Sequence, residues 1–144
     1  MQIKDVMTRE VEVIHPDATL EEAAAKMDAL NVGSLPVCDG DRVLGVITDR
    51  DITVRATAVG GDPTMARTRD AMTAQVIYGF EDQDVTDAAR LMNEHQIRRL
   101  IVLNRDKRLV GIVALGDLAV DTGDEQLAGA TLKQVSEPAE PDRS

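Results

Sequence analysis

The stretch "GVITDRD", residues 45–51, occurs a second time in altered form as "GIVALGD", residues 111–117. Both copies keep a glycine, two aliphatic residues after it and a closing aspartate. The hydroxyl residue of the first copy, Thr48, is replaced by Ala114 in the second. A frame that repeats while its polar content changes predicts two similar halves, of which the first carries more polar groups for a ligand.

The similarity between the two halves extends along most of the chain. "DVMTREVEVI" at 5–14 resembles "DAMTAQVIYG" at 70–79, and "TLEEAAAKMDALNVGSLPV" at 19–37 resembles "DVTDAARLMNEHQIRRLIV" at 84–102, both at an offset of 65. One residue is added in the later turn of the second copy, where the offset becomes 66. Two copies of this length are too few and too long for a solenoid, so they predict a pseudo-symmetric pair.

Each copy predicts the order strand, helix, strand, strand, helix. Thr19 and Glu22 form a capping-box pattern before the first long helix, and Asp84 is expected to cap the equivalent helix. Two apolar runs after each helix predict a hairpin, and further helices are expected near 51–59 and 116–121. Short strands, "VEVI" and "QVIY", are expected before the two long helices. The predicted fold class is therefore α/β (α+β), with the two repeats packed sheet to sheet.

The same repeat predicts the domain organisation. The expected segments are a first repeat at 1–59, a linker rich in Gly, Pro and small polar residues at 60–69, a second repeat at 70–121 and a polar, partly disordered tail at 122–144. A short amphipathic helix near 124–135 is an alternative for part of the tail.

Composition excludes several classes of function. The net charge of −10 argues against general nucleic-acid binding, which needs a basic face. No apolar run is long enough for a transmembrane helix, so a cytoplasmic protein with no membrane partner is expected. Cys38 is the one cysteine, and the two histidines, His15 and His95, lie far apart in sequence. These residues predict no metal site, no obligatory cofactor and no catalytic constellation.

The duplicated "MT" start, the "LPV" strand and the frame around Thr48 and Asp51 together resemble paired cystathionine-β-synthase (CBS) domains. The resemblance covers residues 1–121. The chain is also similar to the short stand-alone bacterial members of this family, including the actinobacterial hypoxic-response type. It implies a non-enzymatic regulatory module that binds AMP, ADP or ATP, with S-adenosylmethionine as a further candidate. It also implies a homodimer that signals to an unidentified protein partner.

The resemblance further implies two ligand clefts between the repeats. The first cleft would use Ser34, Thr48, Arg50, Asp51, Thr73, Ile77 and Ile97. The second would use Thr8, Val32, Arg98, Arg99 and Asp117, and it departs from the family pattern at Ala114. A carboxylate such as Asp51 can accept both hydroxyls of a ribose, and Arg50 offers a charged fork to phosphate.

Simpler interpretations remain open beside this one. Asp51 and Asp117 each stand where a helix begins, and an aspartate there is a good N-cap without any ligand. Side chains alternate along a strand, so only one of Arg98 and Arg99 is expected to face a cleft. The alternative function is a protein-interaction module with no physiological nucleotide.

Overall fold

The computed structural model describes residues 1–122, which belong to two compact units. The first is Glu12–Val76, called the central unit below. The second, called the terminal unit, combines Met1–Val11 with the described residues from Ile77 onward. The predicted polar tail beyond residue 122 and the alternative helix near 124–135 lie outside the described residues.

Both units combine helices with a small sheet, which confirms the predicted mixed α/β fold class. The central unit contains α1 (Leu20–Leu30), β1 (Ser34–Asp39), β2 (Arg42–Thr48), α2 (Asp49–Ile52), a π-helical turn (Thr53–Thr57) and α3 (Thr68–Ala71). The terminal unit contains a 3-10 turn (Ile3–Asp5), β3 (Tyr78–Phe80), α4 (Val85–His95), β4 (Arg99–Leu103), β5 (Leu109–Ala114) and α5 (Leu115–Thr122). β1 and β2 form one antiparallel hairpin, while β4 pairs antiparallel with β5 and parallel with β3.

The two long helices begin where the sequence predicts. The hydroxyl of Thr19 accepts the Glu22 N–H at 3.1 Å, and the Glu22 carboxylate accepts the Thr19 N–H at 3.1 Å. Asp84 caps α4 by accepting the N–H of Thr86 at 3.3 Å. Both predicted caps are therefore confirmed.

The strands predicted before these helices differ between the units. β3 starts only at the last residue of "QVIY", and "VEVI" is reduced to one parallel bridge from Ile14 to β1. In the terminal unit the N–H of Glu81 donates to a β4 carbonyl at 2.9 Å. The equivalent residue of the central unit is Pro16, which has no N–H to extend the ladder. This missing donor explains why the first strand is so short.

The opening segment of each repeat is bonded to the body of the other repeat. Thr68, within the predicted linker and fully buried, donates its N–H to the Ala18 carbonyl at 2.8 Å. Sixty-five residues earlier, Ile3 donates to the Gln83 carbonyl at 2.8 Å. The compact units are therefore out of phase with the sequence repeats, and each unit contains one "MT" segment from the opposite repeat.

Each unit has its own apolar core. The central core includes Leu20, Met27, Leu35, Val37 and Ile47. The terminal core includes Ile3, Val85, Met92, Leu100, Val113 and Leu118. Ile47 on β2 and Val113 on β5 are fully buried and lie next to the point where the repeated frame passes into a helix.

Candidate functional site

A reciprocal pair of hydrogen bonds joins Thr48 and Asp51 at the end of β2. The Thr48 hydroxyl accepts the Asp51 N–H at 3.0 Å, and Asp51 Oδ2 accepts the Thr48 N–H at 3.0 Å. Thr48 is thus the N-cap of α2, and Asp51 completes a capping box from the third helical position. The alternative that Asp51 itself is the N-cap is corrected, because the residue before its helix is Thr48.

The Asp51 carboxylate is buried beside two further polar residues. Asp51 is 8% exposed, and the hydroxyl of Thr73 lies 3.3 Å from Oδ1 and 3.4 Å from Oδ2. Arg55 places Nε 3.7 Å from Oδ1 and donates from Nη1 to the Met72 carbonyl at 3.1 Å. The Arg55 guanidinium therefore neutralises a carboxylate that would be costly to bury alone. Thr48, Asp51, Arg55 and Thr73 are called the Asp51 cluster below.

Gly45 allows Thr73 to reach this position. Val46 and Thr73 exchange two backbone hydrogen bonds, each of 2.9 Å. A Cβ added at Gly45 would lie 2.6 Å from the Thr73 carbonyl oxygen and 3.0 Å from the Met72 sulfur. The glycine of the frame thus allows the close approach of the "MT" segment.

The terminal unit repeats the frame with fewer polar groups. Asp117 Oδ2 accepts the Ala114 N–H at 3.2 Å, but Ala114 has no hydroxyl to accept an N–H in return. Thr8 exchanges backbone hydrogen bonds of 2.8 and 2.9 Å with Ile112. Gly111 again makes room, since a Cβ there would lie 3.0 Å from the Thr8 carbonyl oxygen. The frame is structural in both units, and its side-chain hydroxyl at the cap is confined to the first.

The other residues predicted for the first cleft fall in both units. Ser34 begins β1 and is the register partner of Thr48, so the hairpin brings these two residues together. Arg50 is exposed in the first turn of α2. Ile77 and Ile97 belong to the terminal unit, where both are half-buried against its core.

The residues predicted for the second cleft are divided in the same way. Val32 belongs to the central unit and packs on its core. Arg98 and Arg99 are both exposed, and the Arg98 carbonyl accepts the Leu115 N–H at 2.8 Å. The strand begins at Arg99, so Arg98 precedes the alternating segment to which the sequence assigned it.

Arg55 is the member of the Asp51 cluster that sequence reasoning missed. Its available signal is the spacing of four residues from Asp51, which places opposite charges on one helical face. Such pairs are common on surface helices and rarely mark a site, so the spacing alone gives little information.

The one cysteine of the chain, Cys38, is buried in β1. Burial, with a smaller contribution from Asp41, raises the pKa of the Cys38 thiol to about 11. A neutral, buried thiol is a poor nucleophile, which agrees with a packing role for Cys38 in β1. Among residues 1–122, His, Cys, Asp and Glu form no group of three or more that could hold a metal ion. Within the same part of the chain, no helix has the length and apolarity needed to cross a bilayer.

Comparison with known proteins identifies the family. The CBS domain profile matches residues 3–56 and 69–120, so the chain belongs to the CBS domain family and contains two such domains. CBS domain-containing protein YhcV of Bacillus subtilis is 41% identical over 134 residues, spanning 93% of this chain and 94% of that protein. CBS pairs are regulatory modules that often bind adenosine-containing ligands.

Two further relatives bear on the resemblance stated above. Hypoxic response protein 1 of Mycobacterium tuberculosis is 36% identical over 81% of each chain, and the predicted similarity to the hypoxic-response type is confirmed. The crystal structure of Hypoxic Response Protein I with two coordinated zinc ions matches with a TM-score of 0.75, 35% identity and coverage of 83% of this chain and 98% of that chain. The CBS pair of protein MJ0100 was crystallised with 5′-methylthioadenosine and S-adenosylmethionine. It matches with a TM-score of 0.69, 28% identity and coverage of 85% and 96% of the two chains.

Proposed function

We propose that this protein is a non-enzymatic sensor that binds one adenosine-containing ligand at the Asp51 cluster and changes its contacts with a protein partner. The observation that supports this most is a buried carboxylate that accepts the backbone N–H of Thr48 and lies beside the hydroxyl of Thr73. Such a cluster offers both hydrogen-bond acceptors and hydrogen-bond donors to a sugar diol.

The two oxygens of Asp51 are unequally occupied. Oδ2 accepts the Thr48 N–H at 3.0 Å, whereas Oδ1 has Thr73 at 3.3 Å and Arg55 at 3.7 Å. Each carboxylate oxygen has two lone pairs, so Oδ1 has acceptor capacity for a ribose hydroxyl. A hydrogen bond to a charged acceptor contributes about 1.5–3 kcal/mol, which makes Oδ1 the main polar anchor in the proposal.

The relative crystallised with 5′-methylthioadenosine and S-adenosylmethionine supports this ligand class, because both molecules contain an adenosine group. For this chain the proposal also includes AMP, ADP and ATP. Ser34 and Arg50 are proposed as further contacts in the central unit. Ile77, Ile97, Thr8, Val32, Arg98, Arg99 and Asp117 remain predictions of the sequence.

The terminal unit is proposed to bind such ligands more weakly. Asp117 stands in the same frame, but Ala114 replaces the hydroxyl of Thr48. We therefore expect one dominant ligand per chain. Any effect on a partner is limited by the difference in ligand affinity between the two conformations.

A melting scan tests the proposal. The purified protein is melted with AMP, ADP, ATP, 5′-methylthioadenosine and S-adenosylmethionine in turn. A ligand at about 100 times its Kd adds roughly 2.7 kcal/mol of stability, which raises Tm by several degrees. Asp51→Ala should abolish the rise. Asp87→Ala, which removes the same capping-box carboxylate from α4, should keep it.

The alternative function is a protein-interaction module without a nucleotide. One observation favours it: the Asp51 carboxylate already closes a capping box and an ion pair within the fold. No rise in Tm with any of the five ligands would support this alternative over the sensor.

The homodimer that the family resemblance implies is part of the proposal. It is tested separately by light scattering with and without ligand.

A further inference from the structure

Arg55 lies where a charged group would meet a ligand bound to Asp51. Its Nε is 3.7 Å from Asp51 Oδ1, which is ion-pair distance but too long for a hydrogen bond. Its Nη1 is held at 3.1 Å by the Met72 carbonyl, one residue before Thr73. The guanidinium is therefore anchored at one nitrogen and only loosely engaged with the carboxylate.

The rest of the guanidinium has donors to offer. Arginine carries five N–H donors, and among residues 1–122 only Nε and Nη1 of Arg55 meet acceptors. The side chain is 52% exposed, so a ligand can reach part of it from solvent. A planar fork of this kind suits a phosphate or carboxylate group.

We infer that Arg55 determines ligand selectivity by charge: it binds the anionic 5′ group of an adenosine ligand whose ribose is held by Asp51. This inference rests on the proposed function. It deepens that proposal, because with Arg55 the site prefers a ligand that carries a 5′-phosphate over adenosine alone. A ribose hydroxyl of the ligand donates a hydrogen bond to Asp51 Oδ1. The phosphate of the ligand then replaces Asp51 as the counter-charge of Arg55.

The terminal unit provides a contrast in the sequence. Asp121 follows Asp117 by four residues, as Arg55 follows Asp51, so the position carries the opposite charge. The charge reversal agrees with one anion-selective position per chain.

Arg50, to which the sequence assigns the phosphate, is the competing candidate. It is exposed at the second position of α2, and its backbone N–H donates to Asp49 Oδ1 at 2.8 Å. Arg55 is distinguished by its ion pair with the buried carboxylate itself. The two arginines are therefore compared directly in the test.

The experiment measures Kd for AMP and for 5′-methylthioadenosine by calorimetric titration. These ligands share adenine and the ribose diol and differ at the 5′ group. We expect Arg55→Gln to weaken AMP binding about tenfold, as the loss of a charge-assisted hydrogen bond would, and to leave the Kd for 5′-methylthioadenosine within about twofold. Arg55→Lys keeps the charge without the fork and should lose less.

Arg42→Gln is the matched control. Arg42 is exposed at the start of β2, six residues from Thr48 and therefore about 20 Å along an extended strand, so the same charge is removed far from the cluster. Both affinities should be unchanged in this variant. Circular dichroism confirms that each variant is folded before titration.

Several results would overturn the inference. Equal losses for both ligands in Arg55→Gln would assign Arg55 a structural role, and an AMP-specific loss in Arg50→Gln alone would transfer the anion to Arg50. In both cases the proposed function stands, provided that the parent protein binds and Asp51→Ala does not. If the parent binds neither ligand, the proposed function and this inference fail together.

Discussion

Replacing Gly45 with alanine should destabilise the central unit through one close contact. The new Cβ would lie 2.6 Å from the Thr73 carbonyl oxygen, about 0.8 Å short of the 3.4 Å at which ordinary contact begins. A backbone shift of that size would disrupt the two 2.9 Å hydrogen bonds between Val46 and Thr73. At about 1 kcal/mol for each bond plus about 1–3 kcal/mol for overpacking, the loss is about 3–5 kcal/mol.

The usual gain from replacing glycine in a strand offsets about 0.5–1 kcal/mol of that loss. The expected net destabilisation is therefore about 2–4.5 kcal/mol, or a fall in Tm of roughly 6–14 °C at about 3 °C per kcal/mol. Far-UV circular dichroism is the suitable probe because the chain has no tryptophan.

Gly116→Ala is the matched control for this prediction. Gly116 lies in α5, and a Cβ added there would meet nothing within 4 Å. Alanine in a helix should stabilise by about 0.5–1 kcal/mol, so Tm should rise by roughly 2 °C. If Gly45→Ala melts at the parental temperature or above it, the account of the glycine as a close-approach position is wrong.

Three further predictions concern single side chains. Ala114→Thr should complete the half capping box with Asp117 and stabilise the protein by about 1 kcal/mol, measured by chemical denaturation; a destabilised variant would contradict the cap geometry. Thr73→Val should remove the hydroxyl beside Asp51 and weaken adenosine-ligand binding about fivefold, measured by titration; unchanged affinity would remove Thr73 from the site. The Cys38 thiol has its pKa raised to about 11 by burial, so its thiolate fraction at pH 8 is about a hundredfold below that of an ordinary thiol. Alkylation of the folded protein should be correspondingly slow and should accelerate as the pH approaches 11, while fast alkylation at pH 8 would show that Cys38 is accessible.

Local patterns in the sequence predict much of each unit. The caps at Thr19 and Asp84 and the two hairpins depend on residues close in sequence, and the structure confirms them. The short first strand was also readable, because Pro16 removes the N–H that Glu81 uses in the second copy.

The pairing of the "MT" segments has a different origin. The two "MT" segments are similar, and so are the two hairpins. The local pattern therefore allows each segment to pair with the hairpin of its own repeat or with that of the other repeat. The family resemblance implied only that Thr73 and Thr48 belong to one cleft, whereas the structure shows the exchange itself, through the bridge between Val46 and Thr73 in the central unit. The ion pair of Arg55 with Asp51 depends on this packing, because Met72 anchors the guanidinium.

The most direct test of the central claim is a calorimetric titration of AMP into the parent, Asp51→Ala and Asp87→Ala proteins. Asp51 and Asp87 both close capping boxes, so the two variants lose similar helix-start hydrogen bonds and differ in whether the Asp51 cluster is affected. The account predicts one AMP per chain in the parent, the same binding in Asp87→Ala and none in Asp51→Ala. Parental affinity and stoichiometry in Asp51→Ala would contradict it.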